Sequence, residues 1–234
     1  MPSALPHSST AREVRGRVLR SHGRLWRVED FAGSPAATNS ELRRLVAGGE
    51  LVRVRRGVYW RGRRSRFGMT GVSSGQAVRE LLGSHEAVGA TGWYATKLLG
   101  LSTQVSPVET LAVTGRPPEG LRDVRVVSRA GRSGRREARL NDFEVTFLEA
   151  LEGWERYVEA DGETALARFV ELLATEGMRV DRVLRASATE PPAVRERLRA
   201  VLERAGRKRE TQRVRPARDA RTRERALRVL SGVA

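Results

Sequence analysis

The chain has 234 residues, with 44 Lys and Arg against 28 Asp and Glu, a formal net charge of +16, three histidines and no cysteine. Lack of cysteine excludes disulfides and a thiol nucleophile, and His7, His22 and His85 are scattered without metal-ligand spacing, so neither a metal nor a cofactor is expected. No apolar run approaches the roughly 20 residues of a membrane span or resembles a signal peptide, so the protein is expected in the cytoplasm with no membrane partner.

The charge is uneven: +10 over residues 1–70, +1 over 71–150, −2 over 151–206 and +7 over 207–234. Basic ends of this kind attract polyanions through counterion release, and a membrane surface would attract them too. Lys97 and Lys208 are the only lysines. GC-rich coding would produce that bias, so arginine in itself is no sign of bidentate base recognition.

In chain order, Ser9 and Thr10 ahead of Ala11, Val14 and Val18 predict a first helix, and residues 28–31 a short second one. A third helix of about three turns is bounded by Ser34 as N-cap, Pro35 at the first helical position and a Gly48-Gly49 stop. On a helical wheel Pro35, Thr38, Leu42, Leu45 and Val46 share one face, while Ala36, Ala37, Ser40, Arg43 and Arg44 share the other. The first face packs and the second is free to read a groove. Its small residues permit close approach, and its arginines reach guanine edges or phosphates. Leu51, Val52, Val54, Val58 and Tyr59 then have strand character, broken by a turn at Arg56-Gly57. Arg53, Arg55, Arg56, Arg61, Arg63 and Arg64 would line this hairpin and its exit. Three helices and a hairpin make the order of a winged helix-turn-helix. The plain alternative is an amphipathic helix and a basic hairpin at the solvated corner of any small domain.

Residues 61–74, basic and glycine-rich, read as a linker, with a domain boundary near residue 70. The chain is more than twice the length of a winged helix, so a second domain with its own core is expected over residues 71–206, followed by a basic tail over 207–234. Ser74 caps a helix carrying Ala77, Val78, Leu81 and Leu82, and residues 93–99 form another, ended by Gly100. Residues 108–114 and 124–128 read as strands around the turn-forming GRPPEG. Thr146 and Glu149 match a T-x-x-E capping box ahead of a helix with Phe147, Leu151, Trp154 and Val158 on one stripe. Leu166, Phe169, Val170 and Leu173, and then Val194, Leu198, Val201 and Leu202, repeat with helical period and are core. The expected class is α+β: a winged helix-turn-helix, a mixed α/β domain and a helical C-terminal region. The tail, with a weak stripe of Leu227 and Leu230, reads either as a solvated helix or as one that tracks phosphates.

Three stretches in this order, LRRLVAGGELVRVRRGVYW, ATGWYATKLLGLSTQVSPVETLAVTGRP and EVTFLEAL, resemble the AbiEi family of bacterial antitoxins, which pair with AbiEii nucleotidyltransferase toxins in type IV toxin-antitoxin systems. In the middle stretch Leu99, Gly100, Leu101, Thr103, Gln104, Val105 and Pro107 are similar to a Leu-Gly-Leu-x-Thr-Gln-Val-Pro run, with Ser106 inserted before the proline. The resemblance implies that residues 34–46 are a recognition helix and 51–61 a wing, binding inverted repeats of double-stranded DNA in the protein's own promoter. It also implies that residues 99–114 belong to the domain that counters the toxin, by a route it leaves open. A second copy on the repeat is expected, because one module of this size binds modestly. Residues 207–234 depart from the family pattern. In the plain reading of the motif, Thr103 and Gln104 satisfy backbone groups at a helix-to-strand turn.

Two other classes were weighed. A nuclease-like domain commonly sets an acid two residues before a lysine to hold a metal. Here Ala95 precedes Lys97 and Gly206 precedes Lys208, and no Walker loop, G-x-S-x-G elbow or cysteine-histidine pair is expected, so the expectation is a non-enzyme. The remaining alternative is a winged-helix regulator whose second domain, over residues 75–145, senses a small molecule.

Overall fold

Helices and small sheets share the chain in an α+β arrangement, and the computed structural model describes residues 9–83, 85–121 and 123–230. His7 and the last four residues of the expected tail lie outside the described residues. Two compact units form, Met1–Glu80 with Glu119–Arg122, and Leu81–Pro118 with Asp123–Ala234. Among the described residues no helix is long and apolar enough to cross a membrane.

In the first unit, helix α1 (Ser9–Leu19) buries Ala11, Val14 and Val18 and packs on α2 (Pro35–Ala47). Between them lie a strand, β1 (Arg24–Arg27), and a single 3-10 turn (Val28–Asp30) where a short helix was expected. The Arg27 N–H donates to the Asp30 carboxylate at 2.7 Å, closing that turn. Phe31 follows and stacks on Trp26 with ring centroids 5.0 Å apart. At the start of α2 the Ser34 hydroxyl accepts from the Ala37 N–H at 3.4 Å. At its end Gly49 takes φ +70°, so that the N–H groups of Gly49 and Glu50 bond the carbonyls of Val46 and Leu45 at 3.0 and 2.8 Å. A side chain would strain that left-handed position, which is why a glycine stops the helix there. Strands β2 (Val52–Arg55) and β3 (Val58–Arg61) form the expected hairpin, and β1 adds to it in the order β1-β3-β2, all antiparallel. The segment expected as a linker holds a second ribbon, β4 (Arg64–Ser65) with β5 (Gly68–Met69), ahead of α3 (Ser74–Leu82).

In the second unit, β6 (Val88–Ala90) pairs antiparallel with β7 (Glu109–Val113), which pairs parallel with β8 (Val124–Ser128). Helix α4 (Gly92–Leu98) connects the first two. After the sheet come α5 (Ser133–Glu137), α6 (Asp142–Glu152), α7 (Trp154–Tyr157), α8 (Gly162–Leu173), α9 (Val180–Ala186), α10 (Pro192–Arg204), α11 (Lys208–Arg213) and α12 (Ala220–Arg228). Helix α6 is the hub, buried from Glu144 to Leu151 and packed against β6, α4 and α10. A Cβ on Gly89 of β6 would sit 2.6 Å from the Val145 Cβ. Glycine therefore permits the close approach in which the Ala90 N–H donates to the Thr146 hydroxyl at 2.9 Å. Trp154 and Phe169 stack at 4.6 Å, and Phe147 meets Phe169 edge-on at 5.4 Å.

Two sequence expectations need correction here. The capping box is not Thr146 with Glu149 but Asn141 with Glu144: Asn141 Oδ1 accepts from the Glu144 N–H at 2.9 Å, and Glu144 Oε2 accepts from the Asn141 N–H at 2.8 Å. Asparagine caps as well as threonine, and starting there leaves Thr146 inside the helix, its hydroxyl donating to the Asp142 carbonyl at 2.6 Å. Nor does the segment from Arg207 to Leu230 stand off as a frayed helix: its basic side chains are mostly exposed, but its apolar ones pack inward. Val214, Ala217 and Ala226 are buried, Val229 and Leu230 pack on the core, and Arg197 Nε donates to the Ala226 carbonyl at 3.2 Å.

A chain ended at residue 206 should therefore lose at least about 2 kcal/mol of stability, the scale of burying one aliphatic side chain. Urea unfolding followed by tryptophan fluorescence would measure it, and an unchanged midpoint would mean that this segment is dispensable to the core.

Candidate nucleic-acid interface and a charged cavity

Helix α2 divides into faces much as its sequence pattern predicts. Thr38, Leu42 and Leu45 are buried, and Val46 is half-buried. On the other side Ala36, Ser40, Arg43 and Arg44 are exposed and Ala37 half-buried. Ala36, Ser40, Arg43 and Arg44, with Asn39 and Ala47, line a shallow open depression. Pro35, assigned to the packed face, is exposed, since it stands on the first turn at the outer end of the helix. The wheel also missed Glu41, which is 2% exposed and accepts from Arg15 and Arg44 at 3.4 and 3.5 Å. Arg44 is thus tethered, whereas Arg43 has no hydrogen bond or ion pair among the described residues.

The ribbon arginines fall into three sorts. Arg53, Arg56 and Arg63 are exposed and their guanidinium groups have no partner among the described residues. Arg55 is half-buried and donates to the Glu119 carbonyl at 2.7 Å, while Arg64, exposed, pairs with Glu50 at 2.9 Å. Arg61 does not belong with the others. It ends the central strand, is buried, and spends Nη1 on the Glu50 carbonyl at 3.0 Å and carboxylate at 2.9 Å. Sequence reasoning passed over Phe67 as linker, yet it stands 86% exposed at the tip of the second ribbon with the Arg66 guanidinium 4.6 Å from its ring centroid.

The expected absence of a G-x-S-x-G elbow is wrong in its letters, since residues 71–75 spell GVSSG. The Ser73 hydroxyl accepts from the Gln76 N–H at 3.3 Å, so Ser73, and not Ser74 as expected, caps α3.

In the second unit several positions of the Leu99–Pro107 run have a structural role. Leu99 and Leu101 are core residues, and Gly100, at φ +70°, ends α4 with its N–H on the Lys97 carbonyl at 3.1 Å. The Glu159 carboxylate accepts from the Thr103 N–H, the Thr103 hydroxyl and the Ser102 hydroxyl at 2.7, 3.0 and 2.9 Å. The Thr103 N–H first, then the Gln104 side chain and the two hydroxyls, hold the Glu159 pKa down to about 2. Thr103, Gln104 and Val105 are exposed, so the loop is clamped by a surface carboxylate and is not a buried polar turn. Pro107 lies at the edge of a cavity.

That cavity, about 900 Å³, is bounded by β8, the start of α4, the end of α6 and α7. Beneath it lies a cluster that sequence reasoning did not find. Glu149, buried, accepts from the Thr91 hydroxyl at 2.5 Å, from Arg129 Nε and Nη2 at 2.9 Å each, from Arg132 at 3.2 Å and from Arg135 at 2.6 Å. Arg135, also buried, turns its other edge to Glu190, with bonds of 2.6 and 2.8 Å. Arg132 bonds Glu152 at 2.6 Å. Three arginines face three glutamates, so the cluster is neutral. Burial alone would raise the Glu149 pKa, but the Arg129 hydrogen bonds and the charges of Arg135 and Arg129 outweigh it and hold the group down to about 2. Burial likewise works against the Arg135 cation, and its two carboxylate partners raise its pKa in spite of it. The available signal was the spacing of Arg129, Arg132 and Arg135, three apart around glycines.

No family model matches the chain, and no curated protein matches it. The crystal structure of the RV2827C protein from Mycobacterium tuberculosis is similar at a TM-score of 0.45 and 16% identity, over 88% of this chain and 80% of that one.

Because the folded pKa of Glu149 lies below its ordinary value of 4.5, its ionised form stabilises the unit above that value, and the contribution fades as pH falls toward about 2. Glu149→Gln should cost about 3 kcal/mol at pH 7, since it leaves buried arginines short of a counter-charge. The gap between variant and parent should narrow between pH 4.5 and about 2. Urea unfolding across that range tests this, and a constant gap would refute it.

Proposed function

We propose that the first unit binds duplex DNA as a winged helix, and that the chain is an AbiEi-type antitoxin that represses its own operon and counters a nucleotidyltransferase toxin encoded beside it. The observation that carries the DNA-binding part is the outer face of α2. Its small side chains lead to an Arg43 without an ion pair, on the same unit as the exposed arginines of the β2–β3 hairpin and its exit. A helix of this kind suits a major groove, while Arg53, Arg56 and Arg63 suit phosphates or an adjacent minor groove. The antitoxin part rests on the resemblance of residues 99–114 and their flanks. A second reading, a regulator that senses a small molecule, is favoured by the cavity of the second unit. An adjacent nucleotidyltransferase gene supports the first reading and its absence the second.

Mobility-shift titration of a promoter fragment tests the interface. Arg43→Ala should cost about 1–3 kcal/mol of binding and relax sequence preference, while Arg63→Ala should weaken all sequences alike and lower the salt slope by about 1. Arg44→Ala should cost less than Arg43→Ala, because Glu41 already engages Arg44. Fragments that migrate unretarded at low ionic strength would end the DNA reading. Growth rescue on co-expression with the toxin tests the rest.

A further inference from the structure

We infer that the cavity of the second unit is a binding site for a nucleoside phosphate, with the phosphate on Arg125, Arg129 and Arg156 and the base against Trp93 and Tyr157. This inference does not depend on the DNA-binding reading.

The first support is electrostatic. Three carboxylates border the cavity, and each is already engaged by arginine: Glu149 by Arg129, Arg132 and Arg135, Glu152 by Arg132, and Glu155 by Arg197 at 2.6 Å. Arg125 and Arg156 also border it, and neither has a carboxylate partner among the described residues. The cavity thus has surplus positive charge, which a ligand rather than the protein must answer. Arg125, Val127 and Arg129 alternate along β8 and its end, so a single face of the strand presents two guanidinium groups with an apolar step between them. Arg129 is oriented in advance, since Nε and Nη2 are both fixed by Glu149 and Nη1 has no partner among the described residues. A pre-ordered planar guanidinium is well suited to phosphate oxygens.

The second support is the opposite wall. Trp93 and Tyr157 meet edge-on at 5.3 Å, and the Arg156 guanidinium lies 5.3 Å from the Tyr157 ring centroid. Both aromatic residues are half-buried, offering planar apolar surface beside the cations. Thr110 adds a hydroxyl to the lining. An anion with a flat aromatic part and intervening hydroxyls meets all of these features, and the volume of about 900 Å³ lies within the range of small-molecule sites. A bare phosphate would leave the aromatic wall unused, and an apolar ligand would leave the guanidinium groups unanswered.

Isothermal titration of the full chain with ADP, GDP, CDP and UDP, alongside adenosine, guanosine and inorganic pyrophosphate, tests the inference. Saturable binding of at least one nucleoside diphosphate is expected, with its separate halves at least about tenfold weaker. Arg125→Ala and Arg156→Ala should each weaken binding about tenfold, or 1.4 kcal/mol, without a change in thermal melting. Trp93→Phe should retain binding and Trp93→Ala should weaken it. Arg43→Ala, on the other unit, should leave it unchanged, which separates this site from the DNA surface. The inference is overturned by an absence of saturable binding at millimolar nucleotide, by pyrophosphate binding as tightly as the diphosphates, or by binding indifferent to both Arg125 and Arg156.

Discussion

The withdrawal of one carboxylate from water organises the second unit. Glu149 sits on the most buried helix, and its charge is tolerable only because Arg129, Arg132 and Arg135 converge on it. Those arginines come from the end of β8, the turn after it and α5, so a single counter-charge ties the sheet to the helical layer. Arg135 extends the link to Glu190, just ahead of α10. Partners this well desolvated act together: losing any one leaves the others buried and uncompensated, which is far costlier than losing a surface pair.

The same residue type serves opposite ends elsewhere. Arg61 and Arg135 are buried and consumed by glutamates, Arg197 crosses from α10 to the carbonyls of Leu151 and Glu152 at 2.8 and 3.0 Å, and the exposed Arg43 guanidinium has no partner among the described residues. Net charge therefore says little about which arginines face a polyanion. A candidate interface is recognised by the cations the fold leaves unanswered, on the outer face of α2 and the β2–β3 hairpin in one unit and around the cavity in the other.

Local chemistry explains which parts of the fold could be read from the chain alone. The bounds of α2 were legible because a serine cap, a proline and two glycines act within one turn of where they stand. β7 and β8 were legible from their valines and threonine between turn-forming stretches, and α8 and α10 through their apolar period. β1 and β6 were not: RLWR and VGA are too short for alternation, and they become strands only because a partner strand distant in sequence supplies the ladder. The T-x-x-E pattern at Thr146 misled because its letters fit a helix start, while the burial that makes them interior comes from residues distant in sequence. The candidate interface was largely legible, since exposure on an amphipathic helix follows its period. The exception was Arg61, whose partner Glu50 is set by how the hairpin folds back. The cavity and its charge cluster depend on segments some twenty to sixty residues apart meeting in space, which no local pattern encodes.

One consequence concerns the order of events during synthesis. The carbonyl of Leu230 lies so close to Gly162 that a Cβ there would sit 2.5 Å away, and α12 packs against α10. The first unit draws almost all of its residues from the first eighty and can close early as the nascent chain leaves the ribosome, as leading domains generally do. The second unit cannot complete its packing until residue 230 has emerged, and in that interval part of its apolar surface is open to aggregation and to chaperones.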